Sequence, residues 1–266
     1  MPSTPSLDTY KRNFSETDFT YLERHYSRIC QTRKMILSGL DGTQLDVIDI
    51  GAHWLHQTLL YAMDGHNVTA ADLHISMNEP SIKKLAKKNH IKTHSYSDLS
   101  CLSAFDGLQS NAFDLILFTE IIEHITFNPV DMWENLYRIL KPGGKIIVTT
   151  PNYYYLGQTL KRMIRVFKRM GGGINVHDIL KLKTMGPHWK EYSSQELKLY
   201  FQMLSRDFVI KKMQYTISPK NNQPTMSFKR SLIQNTEKIV PIFRSGLYVE
   251  ILLPEKNHGI EITPGW

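Results

Sequence analysis

The stretch Leu45-Asp46-Val47-Ile48-Asp49-Ile50-Gly51-Ala52-His53 restricts the folding of this chain more than any other. A short apolar run that ends in an acid and a glycine, followed by the helix-like Trp54 to Met63, reads as a buried strand of a parallel sheet. Glycine there lets the backbone turn sharply and approach a ligand at the N-terminus of the next helix. Asn67-Val68-Thr69-Ala70-Ala71 reads as a second strand and stops at Asp72. An acid about 20 residues beyond such a glycine stands where a carboxylate accepts both hydroxyls of a ribose. Strand, glycine turn, helix, strand and acid predict a half-fold that grips a nucleoside.

The rest of the chain extends this pattern. Residues 1–14 are polar and predict a loose tail. From Glu16 to Leu40, Phe19, Leu22, Tyr26, Ile29, Ile36 and Leu37 recur at helical intervals, predicting one or two helices ahead of the sheet. Tyr21, His25 and Tyr26 on that segment are candidates to cover a ligand, although packing on the core explains each alone. Glu79 to Asn89 predicts a basic surface helix, Ile91 to Ser95 a third strand leading to Asp98-Leu99, and Phe113 to Thr119 a fourth. Asn128-Pro129 opens a helix that Lys141-Pro142-Gly143-Gly144 stops, before a fifth strand from Lys145 to Thr150. Ser193 and Glu196 form a capping box, and Phe208 to Tyr215 and Leu247 to Leu253 supply two late strands. The expected fold is α/β: a seven-stranded, mostly parallel sheet with an antiparallel last strand and helices on both faces. Gly51, Asp72, Asp98 and Thr119-Glu120 all fall at strand ends, where such sheets bind ligands.

Length and composition fit one domain: 266 residues, 41% hydrophobic. The expected parts are a helical cap over 1–40, a binding core over 45–215, a lid or substrate insertion over 152–190, and a C-terminal hairpin and tail over 216–266. No run approaches a membrane span, the N-terminus lacks a signal-peptide core, and Cys30 and Cys101 have no metal-ligand spacing. A cytoplasmic setting is expected. The net charge of +7 favours an anionic partner.

The series Asp49-Ile50-Gly51, Asp72, Asp98-Leu99, Phe113-Asp114-Leu115-Ile116, Glu120-Ile121-Ile122-Glu123-His124, Leu140-Lys141-Pro142-Gly143-Gly144 and Thr150-Pro151-Asn152 resembles the class I S-adenosylmethionine-dependent methyltransferases over residues 45–215. That resemblance implies a Rossmann-like fold and S-adenosyl-L-methionine as cofactor. It places Gly51, Ala52 and His53 beside the methionine portion, Asp72 on the ribose, and Asp98 with Leu99 near the adenine, with Asp49 and Leu73 also among the cofactor-binding residues. Thr119 and Glu120 would line the pocket. One departure stands out: the second and third glycine positions of the family's first turn read His53 and Leu55. Either the loop is reshaped, with His53 or Trp54 touching the cofactor, or cofactor binding is lost.

Methyl transfer from a sulfonium is an in-line displacement, so alignment and exclusion of water dominate the enzyme's task. An alcohol acceptor also needs its proton removed, which makes His124, His188 and Glu123 the catalytic candidates. Glu120, Glu123 and His124 at helical spacing, with His188, offer a ligand set for a divalent metal. A metal-free site is the main expectation. That set is similar to small-RNA 2′-O-methyltransferases and ubiquinone-pathway O-methyltransferases, whereas His188, Glu191 and Tyr192 resemble a stretch of surface-glycan methyltransferases. Residues 156–170 predict a basic amphipathic helix, either a lid or a peripheral contact with the inner face of a membrane, and Gly171-Gly172-Gly173 a hinge after it. The expected function is O-methylation of a sugar, glycan intermediate or other small molecule, anionic ones included. RNA 2′-O-methylation and a non-catalytic binding protein on the same fold are the alternatives; no RNA-binding module accompanies the core, which weighs against nucleic acid.

Overall fold

The computed structural model describes residues 4–14, 19–38, 42–167, 188–217 and 228–264. Its strands are β1 (Asp46–Ile50), β2 (Asn67–Leu73), β3 (Lys92–Tyr96), β4 (Phe113–Thr119), β5 (Leu140–Pro151), β6 (Val209–Thr216) and β7 (Gly246–Leu252). They hydrogen-bond in the order β3-β2-β1-β4-β5-β7-β6. β1 runs parallel to β2 and β4, β2 parallel to β3, and β6 antiparallel to β7. The expected mixed sheet is therefore the sheet observed. By compactness the chain divides into two units. One comprises Met1–Leu117 with Asp131–Ile146; the other comprises Phe118–Val130 with most of the chain from Ile147 onward.

In the first unit, Val47, Ile48 and Ile50 of β1 and Val68, Ala70 and Ala71 of β2 are buried, as an apolar run covered on both faces must be. The helix expected from Trp54 begins only at Thr58, as α3 (Thr58–Met63); residues 51–57 form a run of turns instead. The N-terminal tail is not loose throughout. It holds a helical turn, α1 (Leu7–Lys11), capped by the Ser6 hydroxyl and anchored by the fully buried Tyr10. Tyr10 stacks on Tyr26 of α2 (Phe19–Leu37), and its hydroxyl donates to the His56 carbonyl at 2.9 Å. One aromatic side chain with a satisfied hydroxyl outweighs the polarity of its neighbours. Arg33 of α2 pairs bidentately with Asp64 at the end of α3, both side chains almost fully buried. Two short segments follow β2, α4 (His74–Met77) and α5 (Pro80–Lys88); α5 buries Ile82, Leu85 and Ala86 and carries Lys83, Lys84, Lys87 and Lys88 on its exposed side. α6 (Val130–Ile139) ends at Ile139, and β5 begins at Leu140, so that Lys141 to Gly144, expected as a stop ahead of a strand from Lys145, already belong to it.

In the second unit lie α7 (Leu156–Phe167), α8 (Ser194–Leu204) and α9 (Phe228–Ile239). The capping box on α8 forms as expected, Ser193 and Glu196 each satisfying the other's backbone amide. Asn152, 1% exposed, ties the end of β5 down: its amide donates to the carbonyls of Ile242 and Arg244 at 2.8 and 2.7 Å. Gly171-Gly172-Gly173 and most of the insertion lie outside the described residues.

Candidate active site

The first unit holds the residues expected to face a nucleoside, grouped around the loop after β1. Gly51 turns with φ +73°, and its amide donates to the Ala71 carbonyl at 2.8 Å, tying the turn to β2. His53 (φ +47°) and Leu55 (φ +62°) then adopt the left-handed backbone that glycine favours. Each such non-glycine residue costs about 1–2 kcal/mol, and strain of this kind concentrates at functional sites. The loop keeps its glycine-type path while carrying two side chains. Leu55 is fully buried, whereas the His53 ring is exposed, 3.6 Å from Trp54 and 5.6 Å from Tyr21 between centroids.

Asp72 closes this loop. One carboxylate oxygen accepts the His53 amide at 2.7 Å and the other accepts the Leu73 amide at 2.6 Å. One oxygen thus clasps the turn and the other the backbone of β2 itself, and each keeps a further lone pair. Ala52 is buried, Leu73 and Leu99 half-buried, and Asp98 exposed, its carboxylate accepting the Ser100 amide at 2.8 Å. Tyr21 and His25 belong to the aromatic group over the loop, at 4.3 Å from each other, while Tyr26 belongs to the core. Burial and the cations of Arg28 and Arg24 hold the His25 pKa down at about 4, so that ring is neutral at physiological pH.

Asp49 is placed differently from the other rim residues. It is 2% exposed and accepts from Gln57 Nε2 at 3.1 Å and Thr58 Oγ1 at 2.7 Å, bracing the loop against the start of α3. Burial pushes its pKa from the ordinary 3.8 up to about 7. The folded protein therefore favours the neutral acid: that contribution is complete below about pH 4 and is lost as pH rises through about 7. Asp49→Asn is expected to melt with wild type at pH 4 and about 4 °C or more above it at pH 8.5, in thermal unfolding followed by circular dichroism. Equal midpoints at both pH values would show that the buried acid carries no such penalty.

The second unit assembles the acid–imidazole group. Glu120, Glu123 and His124 were expected on one helical face; the structure overturns this. Glu120 sits at φ +57°, its amide donating to the Thr149 carbonyl at 2.7 Å, and only a single 3-10 turn, Ile122–His124, follows. Chain direction reverses before a helix can propagate, so spacing by 3 and 4 loses its meaning. Thr149 Oγ1 donates to Glu120 Oε1 at 2.9 Å, and Thr119 is half-buried at the last position of β4.

Glu123 is 0% exposed. Thr150 Oγ1 donates to its Oε2 at 2.9 Å, and its Oε1 accepts no hydrogen bond from the described residues although His124 Nε2 lies 3.9 Å away. Burial, with the Glu120 carboxylate nearby, raises its pKa. The Trp189 amide donates to the Glu123 carbonyl at 2.7 Å and so brings His188 to the group; the two imidazole centroids lie 5.0 Å apart. His188 Nδ1 stands 3.7 Å from Glu191 Oε1, and that interaction raises the His188 pKa against its burial. Glu191 pairs in turn with Arg162 of α7, whose guanidinium lies 3.9 Å over the Tyr153 ring. Ligand atoms of Glu123, His124 and His188 all lie within 4.8 Å of one another; Glu120 is not in that group.

Sequence reasoning missed the two threonines that orient the acids, the Arg162–Glu191 pair behind His188, and the anchoring of Asn152. Each acts through a contact between distant segments that leaves no periodicity in the chain.

A sheet of this order, with a glycine turn and acids at the ends of its parallel strands, is the fold of the class I S-adenosylmethionine-dependent methyltransferases. Residues 48–148 match the family model described as a methyltransferase domain. Among solved structures, a SAM-dependent methyltransferase from Archaeoglobus fulgidus aligns at 17% identity with a TM-score of 0.53, over 88% of this chain and all of that one. One from Mesorhizobium loti aligns at 14% and 0.54, over 84% of this chain and 96% of that one. The Burkholderia thailandensis 1,6-didemethyltoxoflavin N1-methyltransferase, solved with S-adenosylhomocysteine, aligns at 15% and 0.54, over 96% and 93%. No curated protein sequence matches the chain. No described helix is long and apolar enough to cross a membrane.

Proposed function

We propose that this chain transfers the methyl group of S-adenosylmethionine to a hydroxyl oxygen of a sugar, a glycan intermediate or another small molecule. The observation that carries the choice of oxygen is the group formed by Glu123, His124 and His188. An alcohol must lose its proton as carbon–oxygen bonding develops, and an imidazole next to a buried carboxylate is suited to accept it. In this reading Asp72 and the loop from Gly51 to Trp54 hold the nucleoside, and Asp98 and Leu99 face its base. His124 takes the proton, Glu123 balances the imidazolium that forms, and His188, held by Glu191, orients the acceptor.

Tyr153, Tyr154 and Trp189, each about 40% exposed, present flat apolar faces suited to a sugar ring. Met163 and Ile164 stand exposed on α7, with Lys161 beside them, which supports an acceptor that is lipid-linked or lies at an anionic membrane surface. Incubation with methyl-labelled cofactor and cell-envelope extract is expected to place label in glycan or lipid-linked material, stable to treatment that cleaves methyl esters. Label confined to RNA would replace this acceptor with the ribose 2′-hydroxyl; label in no fraction would leave a binding protein.

A second reading rests on the three ligand atoms within 4.8 Å. Two imidazoles and a carboxylate suit a divalent transition ion, and the Glu123 oxygen without a hydrogen bond would gain a partner. Bound there, the ion would supply Lewis-acid polarisation of the acceptor hydroxyl. Acid–base chemistry predicts that activity survives exhaustive dialysis against chelator. Calorimetric titration of manganese into the dialysed protein, with Glu123→Gln as control, decides independently of activity: micromolar binding lost in the variant establishes the metal reading.

A further inference from the structure

A cavity of about 320 Å³ opens in the first unit, bordered by Trp54 of the loop that carries His53. Phe14 and Trp54 supply aromatic surface to it, Ile82 and Leu85 aliphatic surface, and Lys84 and Lys88 cationic groups at its rim. Apart from Trp54, which ends the loop assigned above to the nucleoside, these residues have no part in the chemistry described above. The volume lies at the small end of ligand sites, and its lining mixes flat apolar surface with a few polar groups, as ligand sites do. α5 holds four lysines and no acid from Pro80 to Lys88, and two of those lysines, Lys84 and Lys88, belong to the lining. Phe14 and Trp54 are held in place: Phe14 meets His56 edge-on at 4.6 Å, and Trp54 contacts Tyr21 at 5.4 Å and His53 at 3.6 Å.

We propose that this cavity is a second ligand site, for a small anion with a flat apolar body such as an aromatic carboxylate, and that its occupancy tunes the nucleoside loop. Trp54 belongs to the cavity lining and is the chain neighbour of His53, whose amide is bonded to Asp72. A ring inserted against Trp54 therefore acts on a segment where two residues already hold left-handed backbone. Such a segment has little latitude to absorb a displacement without shifting the carboxylate it clasps. Coupling of this kind is reciprocal, so the nucleoside must alter affinity for the anion by the same factor.

Indole-3-acetate serves as the probe, with neutral indole-3-acetamide as its control, each titrated calorimetrically into the full chain. The acid is expected to bind at one site and the amide at least about tenfold more weakly, since the rim attracts charge and the lining attracts the ring. Lys84→Glu with Lys88→Glu, both on the solvent side of α5, should weaken the acid about tenfold or more, and Ser81→Trp should block the mouth. These arms need no cofactor, so they stand even if the methyltransferase reading fails. The coupling half rests on that reading: saturating probe is expected to change the S-adenosylhomocysteine dissociation constant at least about threefold in wild type and not in the double variant. Equal binding of acid and amide, an unaltered double variant, or no binding at millimolar probe overturns the site. An unchanged S-adenosylhomocysteine affinity beside confirmed probe binding overturns the tuning.

Discussion

Replacing Asp72 with alanine is expected to weaken S-adenosylhomocysteine binding at least about 100-fold, because two charge-assisted hydrogen bonds at about 1.5–3 kcal/mol each are lost together. Under the proposed function the carboxylate would do two tasks at once. It receives the His53 and Leu73 amides at 2.7 and 2.6 Å, which fixes its plane, and each oxygen retains a lone pair for a ribose hydroxyl. Removing it also leaves the His53 amide without its acceptor, in a loop where His53 and Leu55 already sit at positive φ. Asp72→Asn separates these contributions. Its amide offers one acceptor oxygen and two donors, so it retains one of the two clasps and an intermediate loss of about tenfold is expected. Calorimetry reads the affinity, and near-ultraviolet circular dichroism checks that the fold is retained. A dissociation constant within threefold of wild type in the alanine variant would remove Asp72 from the ribose.

The same residues show how far a sequence of this kind can be read. β1, β2 and β4 were legible because buried parallel strands need unbroken apolar runs, and with them the positions of Asp72 late in β2 and Asp98 just beyond β3. The backbone at His53 and Leu55 was not legible. The residue names argue against left-handed φ, and only the bonds from Gly51 to Ala71 and from His53 to Asp72 reveal why the chain adopts it. Glu-Ile-Ile-Glu-His misled for the opposite reason: its spacing suits a helix, but Glu120 is committed to Thr149 through backbone and side chain, and the chain turns first. Tyr10 shows a third limit. A single buried aromatic in a polar stretch is invisible to periodicity, which needs a repeat.

The acid–imidazole group yields the second large expectation. His124→Ala should lower kcat by about 100-fold to 10,000-fold, the usual span for a positioned general base, while S-adenosylhomocysteine affinity stays within about twofold. A loss confined to kcat is what distinguishes a proton acceptor from a packing residue, because loosened packing would also move stability and cofactor affinity. Glu123→Gln supplies the complementary test. Glutamine keeps the shape and an oxygen for Thr150, yet cannot balance a positive ring, so catalysis should fall by about one to two orders of magnitude with the fold retained. Its thermal midpoint should not drop, since the exchange removes an ionisable group from a position with no solvent exposure. His124→Gln then decides between proton transfer and mere hydrogen bonding: the amide donates and accepts but does not take up a proton at neutral pH. Were His124→Gln to keep activity within threefold of wild type, the imidazole would be a positioning group and the proton would leave by another route.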